Sequence, residues 1–240
     1  MRIKATIAYD GSYFKGFQKQ KTTKQTITSE IESALRSVGI DDNIRGSGRT
    51  DAGVHATGQV IDFEAPEFWS DLKKLKIALN RKLKHISFKH LCFVDKNFHS
   101  RFSAKKRVYR YVFKTSQPSV FEQNYISYFP NFDVKRLQLA LKAFEGEHDF
   151  SNFIKRGSIT HTNVREIYKA YYRDYKGYHF IYFEANGFLR SQVRMMVAFA
   201  MQVATSEKTL LELKEQLTLK KRHSTKLAPP EGLYLARIIY

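Results

Sequence analysis

The sequence predicts an α+β fold built from two α/β halves with mainly antiparallel sheets. Segments with strand alternation and segments with helical spacing follow one another along all 240 residues. Two strand patterns separated by a short turn at residues 174–177 indicate an antiparallel hairpin. The length allows two modest domains, which we place at residues 1–102 and 103–240.

The first half predicts strands and helices in alternation. In chain order they cover residues 3–9 (strand), 27–38 (helix), 59–63 (strand), 72–83 (helix) and 86–94 (strand). Ser70 is the expected N-cap of the second helix. His90 lies on the alternating apolar face of the third strand, so we expect a half-buried packing residue and not a ligand.

The second half predicts a similar mixture. The elements cover residues 107–113 (strand), 134–141 (helix), 164–172 and 178–185 (hairpin), 189–204 and 210–217 (helices), and 233–240 (strand). The acidic run at residues 145–149 is expected to be a polar loop, because adjacent side chains cannot all converge on one metal ion. Arg190 and Arg194 stand one turn apart near the start of the apolar helix. A buried arginine needs a carboxylate or phosphate partner, so Arg194 is a candidate site residue.

The charge indicates a polyanionic partner. Formal net charge is +18, which favours nucleic acid first and an anionic membrane second. No apolar run approaches the roughly 20 residues of a spanning helix, and the first ten residues lack the apolar core of a signal peptide. The single cysteine, Cys92, excludes an internal disulfide and a cysteine-rich metal site. We therefore expect a soluble, cytoplasmic protein.

The most distinctive stretch is GSGRTDAGVHATGQV at residues 46–60. Its four glycines allow left-handed backbone or close approach to a ligand, and they frame Arg49 and Asp51. Such a loop is typical of an active site. It is equally typical of a tight turn in which Thr50 or Asp51 caps a short helix. Local chemistry leaves both interpretations open.

The strand RVYRYVF at residues 107–113 places three aromatic rings on one face, at Tyr109, Tyr111 and Phe113. Aromatic side chains in a basic strand can stack on unpaired bases. On strands in general they are more often core residues, and by itself the pattern favours the core.

Six segments together resemble the TruA-type tRNA pseudouridine synthases, in the order and approximate spacing of that family. They are AYDGSYFKGFQKQ, GSGRTDAGVHATGQV, FHSRFSAKKRVYRY, GEHDFSNF, NGFLRSQVR and APPEGLYL. The string RTDAGVHA is highly specific, and the resemblance spans the whole chain. The departures from the family's usual residues are Phe17 for Trp, Lys84 for Pro, Ala198 for Gly, and Ser191 and Gln192 for His and Met. They put helix packing and RNA contacts in doubt, but not the chemistry.

The resemblance implies a role for each candidate residue. Asp51 is similar to the catalytic nucleophile, and Arg194 to the arginine that forms a salt bridge with it. Tyr109 resembles the tyrosine that stacks on the target uracil. Arg49 matches an arginine that helps to displace and hold the flipped nucleotide, and Leu233 an apolar pocket residue.

The resemblance also implies the context of the reaction. The family joins the sheets of its two halves across a central basic cleft, works as a homodimer without a cofactor or metal, and modifies uridines 38 to 40 of the tRNA anticodon arm. The target nucleotide must be flipped, since its reacting atoms are unreachable in a stacked helix. Whether Asp51 attacks C1′, attacks C6 or abstracts a ribose proton stays open.

Two other function classes fit parts of the sequence. A non-catalytic RNA-binding protein would need the same charge and aromatic residues, but not the intact RTD string. A phosphodiesterase using Asp51 and His55 would normally need a metal cluster or a second general acid, and the sequence offers neither.

Overall fold

The computed structural model describes residues 1–155, 157 and 160–240. The chain forms two compact units. Unit 1 comprises Met1–Lys105 and Tyr234–Tyr240, and unit 2 comprises Lys106–Leu233. Both units combine helices with mostly antiparallel strands, which confirms the predicted α+β class. The domain division at residue 102 stays a prediction.

Among the described residues, ten strands and five α-helices make up these units. The strands are β1 (Arg2–Tyr9), β2 (Arg45–Gly46), β3 (His55–Glu64), β4 (Ile86–Phe93), β5 (Lys106–Lys114), β6 (Ser127–Tyr128), β7 (Gly146–Asp149), β8 (Val164–Tyr175), β9 (Tyr178–Ala185) and β10 (Leu233–Ile239). The helices are α1 (Ile27–Arg36), α2 (Leu72–Lys82), α3 (Val134–Ala143), α4 (Gln192–Ala204) and α5 (Leu210–Leu217). Short 3-10 helices cover Gly11–Tyr13, Ser151–Phe153 and Pro230–Gly232. Within the described residues, no helix is long and apolar enough to cross a membrane.

In unit 1 the strand order is β4-β1-β3-β10, and β2 is added to β3. The pairs β1–β3 and β1–β4 are antiparallel. The strand β10 runs parallel to β3, with Tyr234 opposite His55 and Leu235 opposite Ala56. Buried apolar side chains from β1 and from helices α1 and α2 form the core: Ile3, Ala5, Ile7, Ile31, Leu35, Leu75 and Leu79.

In unit 2 the order β5-β9-β8-β7 is antiparallel throughout, and β6 pairs in parallel with β5. The predicted hairpin is confirmed, with a two-residue turn at Lys176 and Gly177. Their φ angles of 50° and 79° are left-handed, which matches the twist of an antiparallel pair. Buried phenylalanines from helices, loops and strand β9 fill the core: Phe144, Phe150, Phe153, Phe183 and Phe199.

Three local predictions are wrong. The N-cap of α2 is Asp71 and not Ser70, because the Asp71 carboxylate accepts from two backbone N–H groups of the first turn. Residues 146–149 are strand β7 and not a loop, since they pair with β8. His90 is exposed and not half-buried. The pairing of β4 with β1 skips Lys89, and this irregularity turns Leu91 towards the core in place of His90.

Candidate active site

The loop between β2 and β3 in unit 1 carries Arg49 and Asp51. The N–H of Val54 donates to the Asp51 carbonyl at 3.2 Å, and Gly53 has a φ of 77°. These features define a turn that needs glycine at its third residue. The chain then continues directly as strand β3, so the interpretation of Thr50 or Asp51 as a helix cap is wrong.

The entry into this loop is fixed by strand β3. The N–H of Ser47 donates to the Val60 carbonyl at 2.9 Å. The fully buried amide of Gln59 donates to the Gly48 carbonyl at 2.7 Å. Both bonds hold the backbone just before Arg49.

The middle of the loop is fixed at Thr50, which is only 7% exposed. Its hydroxyl is hydrogen-bonded to the hydroxyl of Tyr9, with 2.9 Å between the oxygens. Its carbonyl accepts from the N–H of Phe17 at 3.1 Å. Thr50 is therefore held through both its side chain and its backbone, whereas Arg49 before it is exposed and Asp51 after it is half-buried.

The four glycines of the stretch serve different purposes. A Cβ on Gly46 would lie 2.5 Å from the ring of Phe17, and one on Gly58 would lie 2.3 Å from the carbonyl oxygen of Ala236. Gly53 supplies the left-handed turn. At Gly48, no atom of the described residues lies within 4 Å of such a Cβ. Gly46, Gly53 and Gly58 thus serve the fold, and Gly48 leaves open space beside the backbone.

His55 has a structural position at the end of the loop. It is 2% exposed, and its ring stacks on Tyr234 with centroids 4.8 Å apart. Its Nδ1 lies 3.0 Å from the N–H of Gly11 and 3.3 Å from a carboxylate oxygen of Asp10. The shorter contact is with a backbone donor, so Nδ1 acts as the acceptor. This geometry opposes the phosphodiesterase reading, in which His55 would be an acid or base.

In unit 2, Tyr109 lies on β5 opposite Phe183 of β9. It is 8% exposed, and its ring makes an edge contact with Phe188 at 5.1 Å between centroids. Two residues further along β5, Tyr111 is fully buried. Burial raises the pKa of Tyr111, so its phenol stays protonated. For Tyr111 the core interpretation is therefore correct.

Arg194 occupies the first turn of α4. The helix begins at Gln192 and not at residue 189, because Ser191 at the N-cap has a left-handed φ of 61°. Arg190 accordingly lies before the helix and is exposed. Every other residue of α4 is buried, and Arg194 is half-buried.

Two hydrogen bonds join Arg194 to the segment 228–233. The Nε of Arg194 donates to the Ala228 carbonyl at 2.7 Å, and the N–H of Ala228 donates back to the Arg194 carbonyl at 3.0 Å. This exchange sets the guanidinium beside the chain that leads into β10.

The same segment is built against Tyr111. The carbonyl of Pro229 lies 3.0 Å from the Tyr111 hydroxyl. A Cβ on Gly232 would lie 2.8 Å from the Tyr111 ring, so glycine is required there. Ser127, 2.7 Å from the same hydroxyl, donates to Glu231 at 3.0 Å. Leu233 follows, 4% exposed, at the start of β10.

The predicted residues thus fall into two local groups. Unit 1 carries Arg49 and Asp51 on one loop. Unit 2 carries Tyr109 on β5 and bonds Arg194 to Ala228, in the segment that leads to Leu233. Sequence reasoning missed the residues behind these groups: Tyr9, Gln59 and Tyr111. Each lies inside or beside a motif of the resemblance. The bonds of Tyr9 and Tyr111 span 41 and 118 positions, and that of Gln59 is a side-chain contact within the stretch 46–60. Within residues 1–155, 157 and 160–240, no group of three or more His, Cys, Asp or Glu side chains could hold a metal ion.

Comparison with known proteins gives a consistent result. The family model described as tRNA pseudouridine synthase matches residues 5–103 and 140–240. The tRNA pseudouridine synthase A of Helicobacter hepaticus is 42% identical, covering 99% of this chain and 98% of that protein. The protein of that name from Wolinella succinogenes is 39% identical, with coverages of 98% and 93%. The one from Helicobacter pylori is 39% identical, with 99% of each chain covered.

Among solved structures, a chain of a Cbf5-Nop10-Gar1 complex is 12% identical to this one. The match covers 83% of this chain and 45% of that chain, with a TM-score of 0.36. A TM-score this low says nothing about the fold.

Proposed function

The chain belongs to the tRNA pseudouridine synthase family, and we propose that it converts uridine to pseudouridine at positions 38–40 of the tRNA anticodon arm. The enzyme is an isomerase. The observation that carries the proposal is the RTDAGVH loop, which holds Asp51 half-exposed on an anchored backbone within a full-length family match.

The reaction breaks the N1–C1′ bond, turns the uracil and joins C5 to C1′. The proton lost from C5 is balanced by the proton gained at N1, so the net change is an isomerisation and needs no redox partner. The target nucleotide must leave the helical stack, at a cost of a few kcal/mol. Stacking on Tyr109 would return about 1–3 kcal/mol.

Asp51 is the proposed nucleophile. A carboxylate must be ionised to act in this way, and an adjacent guanidinium favours the ionised form. Arg194 is the proposed partner, in agreement with the resemblance. Its Nε is already bonded to the Ala228 carbonyl, which orients the guanidinium.

Two further residues complete the proposed site. Arg49 is exposed beside the open space at Gly48, which suits contact with the displaced nucleotide. Leu233, buried at the start of β10, supplies an apolar side chain. In both cases the family resemblance supports the role, and the local geometry is compatible with it.

The proposed substrate explains the charge of +18, because a polyphosphate chain requires many cations. Binding of tRNA in a basic cleft should weaken steeply as salt rises, through loss of counterion release. A homodimer, cytoplasmic location and independence from any cofactor complete the proposal.

Tritium release tests the chemistry directly. Uridine labelled with tritium at C5 must lose the label to water when C5 bonds to C1′. We expect release from undermodified tRNA without added metal or ATP, and chemical mapping should find the product at positions 38–40. No release from any undermodified tRNA would overturn the proposed activity.

Asp51→Ala supplies the decisive variant. Loss of a covalent catalyst typically costs about 10³-fold or more. We expect release to fall to background while tRNA binding persists. Asp41→Ala, which alters an exposed carboxylate of unit 1, is the matched control and should retain activity. Equal release by Asp51→Ala and wild type would remove Asp51 from the mechanism.

A further inference from the structure

We propose that Tyr9 is a positioning residue for catalysis, because its hydroxyl bond to Thr50 sets the place of Asp51 in the loop. This inference rests on the proposed function of Asp51. Tyr9 is the last residue of β1, and its hydroxyl contacts the loop at Thr50. Its role is to hold the loop backbone, without contact to the substrate.

The first support is the burial of the hydroxyl pair. Tyr9 is 5% exposed and Thr50 is 7% exposed, and their oxygens are 2.9 Å apart. A buried hydroxyl that loses its partner stays desolvated without a hydrogen bond, so the pair resists opening. The bond links a strand to the one residue that stands between Arg49 and Asp51.

The second support is the backbone on the other side of Thr50. The Phe17 N–H donates to the Thr50 carbonyl at 3.1 Å. Gly16, with a left-handed φ of 113°, brings its backbone so close that a Cβ would lie 3.2 Å from that carbonyl oxygen. The chain of residues 16–17 and the Tyr9 ring therefore confine Thr50 together.

The consequence for Asp51 follows from connectivity. Thr50 precedes Asp51 directly, and the Asp51 carbonyl is bonded to the N–H of Val54. The peptide that carries the carboxylate is thus fixed at both ends. A misplacement of about 1 Å can cost about 10²-fold in rate, so a slack Thr50 should slow the chemical step.

The test compares variants that remove or keep the hydroxyl bond. Tyr9→Phe and Thr50→Val delete one hydroxyl each with little change in shape, whereas Thr50→Ser keeps it. We expect single-turnover tritium release to fall about 10- to 100-fold in the first two. The Kd for tRNA should stay within about twofold, and Thr50→Ser should restore most of the rate.

The double variant Tyr9→Phe/Thr50→Val separates one shared bond from two independent effects. If the bond is the cause, the double variant should be no slower than the slower single variant. Multiplication of the two losses would overturn the inference. Turnover of Tyr9→Phe within about twofold of wild type would also overturn it.

Tyr172→Phe is the matched control. Its hydroxyl bonds the Nδ1 of His179 at 2.8 Å in unit 2, so the variant deletes a bond of similar length among residues without a proposed catalytic role. We expect wild-type release. A loss equal to that of Tyr9→Phe would mean that any such deletion slows the enzyme, and the positioning role would fail.

Amide hydrogen exchange gives a readout that does not depend on activity. In Tyr9→Phe we expect the amides of Phe17 and Val54 to exchange roughly tenfold faster, because their acceptors lie at Thr50 and Asp51. The Ser47 amide, bonded to Val60, should be unchanged. Unchanged exchange at Phe17, Val54 and Ser47 would overturn the anchoring role of Tyr9, whatever the activity of the wild type. Absence of tritium release from wild type would instead refute the proposed activity.

Discussion

The two units present their candidate residues in different ways. In unit 1, Arg49 and Asp51 lie on a loop, and buried side chains behind them supply the bonds that define its shape. In unit 2, Tyr109 and Arg194 lie on a strand and a helix, whose own backbone ladders define their positions. A loop must be anchored from outside, whereas a regular element anchors itself.

This difference predicts where each unit is sensitive to change. Positions behind the loop should matter in unit 1, because they hold the residue that reacts. In unit 2 the sensitive positions should be the site residues themselves and the segment 228–233, which is hydrogen-bonded to Arg194. Substitutions in the two units test this difference in sensitivity.

The largest effect in unit 2 is expected for Arg194→Met. Removing one partner of a buried charge pair typically costs about 3–5 kcal/mol, so loss of the proposed partner of Asp51 should lower the single-turnover rate by roughly 10²- to 10⁴-fold. Arg194→Lys should be intermediate, since it keeps the charge but loses the Nε bond to Ala228. Quench-flow of tritium release measures both.

Arg190→Met is the control for that comparison. Arg190 is exposed and precedes α4, so the variant removes a nearby cation of the same type. We expect a near wild-type rate with at most a small loss of tRNA affinity. Wild-type activity in Arg194→Met would show that the helix-borne cation has no part in the chemistry.

Tyr109→Leu should have the next largest effect. Loss of stacking worth about 1–3 kcal/mol predicts a decrease of roughly 5- to 150-fold in turnover, with a smaller loss of affinity. Tyr109→Phe keeps the ring and should retain most of the turnover. Steady-state kinetics with filter binding separates the two quantities, and unchanged turnover in Tyr109→Leu would remove the stacking role.

Two glycines of unit 1 should differ in their effect on stability. A Cβ at Gly58 would press on the Ala236 carbonyl at 2.3 Å, so Gly58→Ala should destabilise the fold by about 1–3 kcal/mol. Gly48→Ala meets open space and should leave stability within about 0.5 kcal/mol of wild type. Urea unfolding measures both. Equal stability of the two variants would contradict the division of the glycines into structural and open positions.

The smallest effect concerns an irregular segment of unit 2 that is also held by a side chain. Glu122 accepts from the Ser119 N–H, the Tyr178 hydroxyl and the Lys114 ammonium. These bonds lower the pKa of Glu122 to about 2, below its ordinary value of 4.5. A lowered pKa adds stability above the ordinary value and loses it as the pH falls towards 2.

Glu122→Gln tests this anchor by its pH dependence. We expect a slightly lower Tm than wild type at pH 7, and the difference should shrink below about pH 4.5 and vanish near pH 2. Thermal unfolding followed by circular dichroism over this range measures it. A difference that does not change with pH would show that the ionised carboxylate is not what holds residues 119–122.

The sequence predicted most elements because their periodicity is local. Helix α5 at residues 210–217 and the hairpin of β8 and β9 depend on neighbouring residues alone. His90 was misplaced because an extra residue in β4 inverts the alternation, and the pairing partner that reveals it is some eighty residues away. The start of α4 was misplaced because the left-handed backbone at Ser191 interrupts an unbroken apolar pattern.

The loop illustrates the same limit at the site. The glycine content and the RTDAGVH string located the loop in the sequence. They did not predict the function of each glycine. Gly58 packs against the backbone of Ala236 and Gly46 against the ring of Phe17, so neither position has room for a Cβ. Local composition does not reveal either contact. The Tyr9 bond to Thr50 spans 41 positions, so only the folded chain reveals it.

The parallel pairing of β10 with β3 has a consequence for the order of synthesis. Unit 1 consists of two separate stretches of chain, and unit 2 is translated between them. Strand β3, which follows the RTDAGVH loop, meets Tyr234 and Leu235 only after unit 2 has left the ribosome. Until then Gly58 lacks the backbone it packs against. We therefore expect the nascent chain to complete unit 2 first and to acquire activity in one late step.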